Sequence, residues 1–289
     1  MVKNLKEKDL SDLNLQYLPR LTVKNSDRYL EQSQKRSAKT RNRLDCLLDV
    51  SYGSSIGQSL DIFPAKKKNA PVHIFIHGGY WRATEIQKNT YSHIAAPLTK
   101  AGATVVIPNY DLCPEVTITT IVSQMRRVVK WVYKNVHTYK GDNKKIFVSG
   151  HSAGGHLTAM MAATDWSQEG RLSKNLLKGI APLSGLFDIE PHRHLPLLQS
   201  DLKLTASEAK AMSPMYLTPN FTGTSIIAVG ETEPDLFHWQ SLAYAAHLSK
   251  HRIKTTYIST PNDNHFSITD RLGNSRDPLT QALIRQMGL

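Results

Sequence analysis

The sequence predicts an α/β fold: a mostly parallel central sheet flanked by helices on both faces, with a small cap. Three observations carry this expectation. Short apolar runs alternate with helical patterns along most of the chain, which argues for parallel strands joined by crossover helices. One run, ending at Val148-Ser149, leads straight into Gly150-His151-Ser152-Ala153-Gly154 and on into a helix. Another, Val72-His73-Ile74-Phe75-Ile76, empties into the glycine-bearing loop His77-Gly78-Gly79-Tyr80-Trp81.

At 289 residues the chain can bury one large core, so the expected organisation is an N-terminal arm over residues 1–44 and one α/β domain over 45–289. The arm carries a charged helix from Asp27 to about Arg43, with Ser26 or Asp27 as its cap. Cys46–Tyr52 and Ser59–Phe63 alternate as a hairpin around Gly53 to Gly57. Strands and helices then take turns: strand 72–76 and a helix near 88–101, strand 103–107 and a helix near 116–137, strand 145–149 and the helix opening at Ser152. After strand 179–183 come strand 225–229 with a helix near 238–250, and strand 253–259 with a last helix near 277–287. A stretch at about 186–220 breaks the alternation, with Pro191, Pro196, Pro214 and Pro219 and one helical pattern, Ala206–Met212, after Thr205. Its place in the order suits a cap insertion that excludes water from a site.

The formal net charge is +12, densest at Lys35–Arg43 and Lys66–Lys68. No aromatic residue interleaves with these basic ones and no zinc-finger or helix-turn-helix signature accompanies them, so they read as solvated faces. No nucleic-acid partner is expected; binding through the basic arm is the rival, and it would weaken steeply with salt. Residues Met1–Asp9 hold charges with no apolar stretch after them, and no run approaches the length of a membrane helix. No membrane contact is expected, and the cytoplasm is the expected location. The two cysteines, Cys46 and Cys113, have neither disulfide-framework nor zinc spacing and read as buried thiols. His192 and His194 lack a carboxylate or thiol at ligand spacing and read as a polar loop, so no metal and no cofactor are expected. A homodimer is compatible with the sequence but not dictated by it.

The chemistry lies at the strand ends. In G-x-S-x-G the small residues on either side let the backbone turn sharply, so that Ser152 Oγ stands clear of side-chain bulk. The following N–H, that of Ala153, then points at an oxyanion formed by attack of Oγ on a carbonyl, and the N–H groups of Gly78 and Gly79 are the expected other half of that hole. The bland alternative is a Gly/Ser turn that merely ends a strand. Against it stand two further strand ends: Gly230 followed by Glu231, Glu233 and Asp235, and Pro261-Asn262-Asp263-Asn264-His265-Phe266. The order nucleophile, acid, histidine is that of the α/β-hydrolase fold. His77 reads as a loop-fixing residue, His151, His156 and Phe266 as packing residues, and Tyr80 and Trp81 as either core aromatics or walls of a substrate site.

These residues resemble the arylformamidase (kynurenine formamidase) branch of the α/β-hydrolase superfamily, related to hormone-sensitive-lipase-like esterases. His77-Gly78-Gly79-Tyr80-Trp81 is similar to its H-G-G-x-W motif. Asn109–Pro114, Ser184–Asp188, Ser213-Pro214 and Tyr17-x-Pro19-Arg20 resemble further segments, so the resemblance spans nearly the whole chain. The family register over Gly230-Glu231-Thr232-Glu233, Phe237, Gln240 and Ser241 implies Glu233 as the acid; Leu236 stands where the family often has Glu, which keeps Asp235 as a rival. The helix of the arm lacks the tryptophan usual in the group. The resemblance implies a serine hydrolase with a Ser152-His265-Glu233 triad, acting on a small ester or aryl formamide without cofactor. A general short-chain carboxylesterase is the alternative, and a non-catalytic binding protein on the same fold is a third reading.

Overall fold

The computed structural model describes residues 10–170 and 172–289; Met1–Asp9, with the charged pattern noted above, lie outside the described residues. The strands are β1 (Leu47–Ser51), β2 (Ser59–Phe63), β3 (Ala70–Ile76), β4 (Thr104–Pro108), β5 (Gly141–His151), β6 (Leu177–Leu183), β7 (Thr224–Gly230) and β8 (Thr255–Thr260). They form one 8-stranded sheet in the order β1-β2-β4-β3-β5-β6-β7-β8. β1 pairs antiparallel with β2, and β2 with β4; all other pairs are parallel.

Period-2 alternation writes the two faces of this sheet. Val72, Ile74 and Ile76 of β3, Ile146 and Val148 of β5, and Ile227 and Val229 of β7 enter one apolar cluster. Phe75, Phe147, Ile226 and Ala228 enter the other. Parallel strands buried on both sides need helices on both sides. Helices α1 (Leu10–Tyr17), α2 (Ser26–Arg43), α3 (Ala95–Ala101), α4 (Ile118–Asn135), α5 (Ala153–Ala163), α6 (Pro196–Leu202), α7 (Ala206–Ala211), α8 (Asp235–Lys250), α9 (Ile268–Arg271) and α10 (Pro278–Gln286) provide them. Buried residues of α4, α5 and α8 fill the first cluster, and those of α3 and α10 the second. Phe187 stacks on Tyr244 of α8 at 4.2 Å and 8°; burial of each such side chain contributes about 1.5–3 kcal/mol.

Several local expectations are corrected. The helix near 88–101 is split: Lys88–Ile94 is a 3-10 helix and the α-helix starts at Ala95. Pro97 has no N–H to give the His93 carbonyl, so a continuous α-helical ladder is broken there. Helix α2 begins at Ser26 after a left-handed Asn25, with no side-chain cap. Asp27 is instead engaged by Arg20, whose Nη1 donates to it at 2.7 Å. The basic run is only partly solvated: Lys35, Lys39 and Arg43 are exposed, whereas Arg36 pairs with Asp270 and Arg41 with the buried Asp61. Cys46 is half-buried and only Cys113 is buried. Between β6 and β7 the Ala206 helix is present, with the Thr205 side chain accepting from the Glu208 N–H, and α6 is an additional element that the prolines obscured. No helix among the described residues is long and apolar enough to cross a membrane.

Candidate active site

β5 ends at His151 and α5 begins at Ala153, so Ser152 makes the turn between them. Its φ of 58° and ψ of −119° are unusual for a residue with a Cβ, a strain that the flanking chain must hold. The glycines are required by close packing: a Cβ on Gly150 would lie 2.3 Å from the Gly154 carbonyl oxygen, and one on Gly154 would lie 2.0 Å from that of Ile76. The Ser152 N–H donates to the Leu183 carbonyl at 2.9 Å, which ties the turn to the end of β6.

Three strand ends bring their side chains together here. His265 Nε2 lies 3.0 Å from Ser152 Oγ, and His265 Nδ1 lies 2.7 Å from Glu233 Oε2. All three residues are buried. The second Glu233 oxygen accepts from the Gly230 N–H at 2.7 Å and from the Ser184 hydroxyl, so the carboxylate is held from two elements. The other acids of this turn point elsewhere. Asp235 is exposed in the first turn of α8, and Glu231 is exposed and accepts from the Asn262 N–H at 2.7 Å.

Gly78 lies against the Ser152 turn; a Cβ there would meet the His151 carbonyl oxygen at 2.8 Å and Ser152 Cβ at 3.1 Å. Among the described residues, no backbone hydrogen bond uses the N–H of Gly78, Gly79 or Ala153. The last of these opens α5, where N–H groups have no intrahelical acceptor and the helix end favours negative charge. The loop is fixed from behind. His77 Nδ1 donates to the Gly78 carbonyl at 2.8 Å, and its ring stacks on Tyr110 at 4.3 Å, whose hydroxyl donates to the His77 carbonyl at 2.9 Å. Burial lowers the His77 pKa to about 4, so the ring is neutral near pH 7.

Of the two aromatics that follow, Trp81 is fully buried and its indole N–H donates to His156 Nδ1 at 3.2 Å. Tyr80 is half-buried, with its hydroxyl donating to the Tyr17 carbonyl at 3.2 Å. His156 Nε2 donates to the Met212 carbonyl at 2.7 Å, which fixes its tautomer as well as its place in the packing. His192 departs from the polar-loop expectation: it is fully buried, 4.8 Å from the Tyr17 ring and 5.8 Å from that of Trp81. The apolar neighbours that α1 and the 77–81 loop bring to it are remote in sequence. Only His194 stays exposed, paired with Glu190. Among the described residues no cluster of His, Cys, Asp and Glu could hold a metal ion.

Two supporting residues escaped the residue-by-residue reading. Ser184, left-handed at φ 47°, reaches Glu233 from the end of β6; its only signal was its place in the Ser184–Asp188 segment. Gln240 accepts from the N–H groups of Phe187 and Asp188 and donates to the Tyr17 hydroxyl at 2.9 Å, joining α8, the chain after β6 and α1. Spacing alone could flag neither, since both act through contacts between distant segments.

A parallel sheet with an antiparallel β1–β2 edge and a strained serine turn at the end of β5 defines an α/β-hydrolase, and with the relatives described next the chain is a serine hydrolase acting on ester or formamide bonds. The BD-FAE family model matches residues 60–248, and the chain belongs to that family. It is 33% identical to the kynurenine formamidase of Salmo salar over 86% of this chain and 85% of that one. The kynurenine formamidase of Danio rerio is 30% identical over 86% and 85% of the two chains. Among solved structures, an esterase of Pyrobaculum calidifontis superposes with a TM-score of 0.70 at 20% identity, covering 94% of this chain and 96% of that chain.

Proposed function

We propose that Ser152 is the nucleophile, His265 the general base and Glu233 the orienting acid of an acyl transfer, and that the acyl group moved is the formyl of an aryl formamide such as N-formylkynurenine. The observation that carries the reading is the pair of contacts, 3.0 Å from His265 to Ser152 and 2.7 Å from His265 to Glu233. His265 Nε2 takes the Oγ proton as oxygen attacks the formyl carbon, while Glu233 stabilises the imidazolium through Nδ1–H. The N–H groups of Gly78, Gly79 and Ala153 hold the oxyanion; loss of one such donor typically costs about 10²–10³ in rate. His265 returns the proton to the leaving nitrogen and the arylamine departs. Water, deprotonated by His265, then attacks the formyl-enzyme, and formate leaves as Ser152 regains its proton.

The formamide choice rests on the two relatives of that name at 33% and 30% identity. A short-chain carboxylesterase is the second reading, favoured by the absence of tryptophan from α2. A silent binding protein is disfavoured because all three positions are filled. Residues 10–44 serve as an arm over the domain and about 186–220 as its cap, with Tyr80 as a substrate wall and Trp81 as the buried support behind it. The free thiols suit the cytoplasm; a homodimer fits the same reading.

The test compares kcat/KM on N-formylkynurenine with that on p-nitrophenyl acetate and butyrate, using Ser152→Ala as the blank. Preference for the formamide by about 10², or about 2.7 kcal/mol, is expected. Faster ester turnover with little formamide activity replaces the first reading by the second.

A further inference from the structure

Two imidazoles stand side by side at the end of β5, and the mechanism uses one. The ring of His151 lies 4.6 Å from that of His265, tilted by 46°. It is also close to the oxyanion loop, with Nδ1 3.6 Å from where a Cβ of Gly78 would be. Its side chain is buried, and among the described residues neither Nδ1 nor Nε2 makes a well-formed hydrogen bond; the ring's one polar neighbour in reach is the backbone of His265. A phenylalanine would pack in such a place without that cost, so an unpaired buried imidazole calls for a partner from outside the fold. Burial holds its pKa well below the usual histidine range. A neutral ring offers one N–H donor and one acceptor nitrogen.

His151 is one of the residues that line a cleft of about 30 Å³, together with Arg20, Tyr29, Tyr91 and Phe266. Tyr29 and Phe266 stack there at 6.1 Å and 19°. The space admits a small polar substituent and not a second ring. In acyl transfer the leaving nitrogen takes its proton from His265 Nε2, so the leaving group lies beside His265. An acceptor about four bonds from that nitrogen, such as the oxygen of an ortho carbonyl, falls within reach of the neighbouring ring.

We propose that His151 is the specificity-determining residue for the leaving group, its imidazole N–H donating to a carbonyl oxygen placed ortho to the scissile nitrogen of an aryl formamide. This rests on the formamidase reading above and deepens it. A leaving group without such a carbonyl leaves the imidazole unpaired, and sites built to hydrogen-bond a substrate group discriminate strongly against analogues that lack it.

The test measures kcat/KM of the wild type, His151→Phe and His151→Gln on N-formyl-2-acetylaniline and on formanilide, which share the scissile bond and differ in the ortho carbonyl. The wild type is expected to favour the acetyl compound by about 10- to 100-fold. His151→Phe brings the ratio of the two rates close to one, and His151→Gln, which keeps a donor, restores part of the preference. A preference unchanged in His151→Phe overturns the proposal, as does an equal loss on both compounds, which marks a packing role. Absence of the preference in the wild type overturns it whatever the variants do. If the wild type cleaves phenyl acetate and neither formamide, the formamidase reading falls by itself. The pair 2-acetylphenyl acetate and phenyl acetate then makes the same comparison for His151, with the same outcomes for and against.

Discussion

The C-terminal edge of the sheet and the seam beneath α2 are built by opposite means. At the edge, side chains are placed by backbone: Ser152 by a strained turn between glycines, Glu233 by the Gly230 N–H, His265 by the loop after β8. In the seam, backbone is placed by side chains. Helix α2 buries Ser33, Ser37 and Thr40 rather than apolar residues. Its Arg41 reaches the fully buried Asp61, which also accepts from Lys88 Nζ at 2.7 Å. The edge concentrates chemistry on a few atoms, and the seam spreads stability over polar contacts. Substitutions at the edge should therefore cost activity, and those in the seam should cost stability.

The largest effect tests the edge. Glu233→Gln keeps the shape but removes the charge opposite His265 Nδ1, and a loss of about 10⁴ in kcat is expected, the scale seen when a triad acid becomes an amide. Asp235→Asn should leave kcat within about threefold, since an exposed carboxylate at a helix N-terminus contributes only about 0.3–1 kcal/mol. Steady-state kinetics on the best substrate decides, and the reverse ranking would transfer the acid role to Asp235.

Asp61→Asn tests the seam. It strips the buried Lys88 of its buried partner and leaves it Asp49, whose side chain is 72% exposed. Removing one partner of a buried ion pair costs about 3–5 kcal/mol. Urea titration should show that loss while kcat/KM of the folded fraction holds within about threefold. A stability change below about 1 kcal/mol would mean that the seam does not carry the fold.

Acid should weaken both regions. Burial lowers the pKa of His77 at the edge and His93 in the seam to about 4, below the ordinary 6.5. The unfolded chain therefore binds protons that the folded one refuses. The stability from these neutral rings is whole above pH 6.5 and is lost as pH falls towards 4. One such proton amounts to about 1.4 kcal/mol per pH unit, so unfolding free energy should be lower at pH 5 than at pH 7 by about 2 kcal/mol or more. A flat profile over that range would show that these rings charge without unfolding.

The same contrast governs what the sequence made legible. The serine turn, the Gly78-Gly79 loop and the histidine loop were readable because close backbone approach restricts residue type at fixed spacing. The acid was ambiguous because Glu231, Glu233 and Asp235 share one short turn; of the three, Glu233 is the one that meets His265, Ser184 and the Gly230 N–H. The seam was illegible for a different reason. Ser33, Ser37 and Thr40 recur at helical spacing, but a rule that looks for apolar residues passes over them. His192 read as polar by its neighbours in sequence and is buried by its neighbours in space.

Ser37→Ala gives the smallest effect and the finest test of that account. Ser37 Oγ donates to the Thr90 carbonyl at 2.7 Å, accepts from the His93 N–H at 3.1 Å, and lies 3.1 Å from His93 Nδ1. Alanine is a better helix former by a few tenths of a kcal/mol. It fills the same space less one oxygen and takes the hydroxyl partner from a buried N–H and a buried carbonyl, at about 1–3 kcal/mol. The two terms oppose, and the second is larger, so the net expectation is a loss of about 1–2 kcal/mol in urea titration with kinetics unchanged. If Ser37→Ala proves neutral or stabilising, propensity outweighs the hydrogen bonds. In that case α2 sits on the domain through its ion pairs alone, and the edge and the seam differ less than their construction implies.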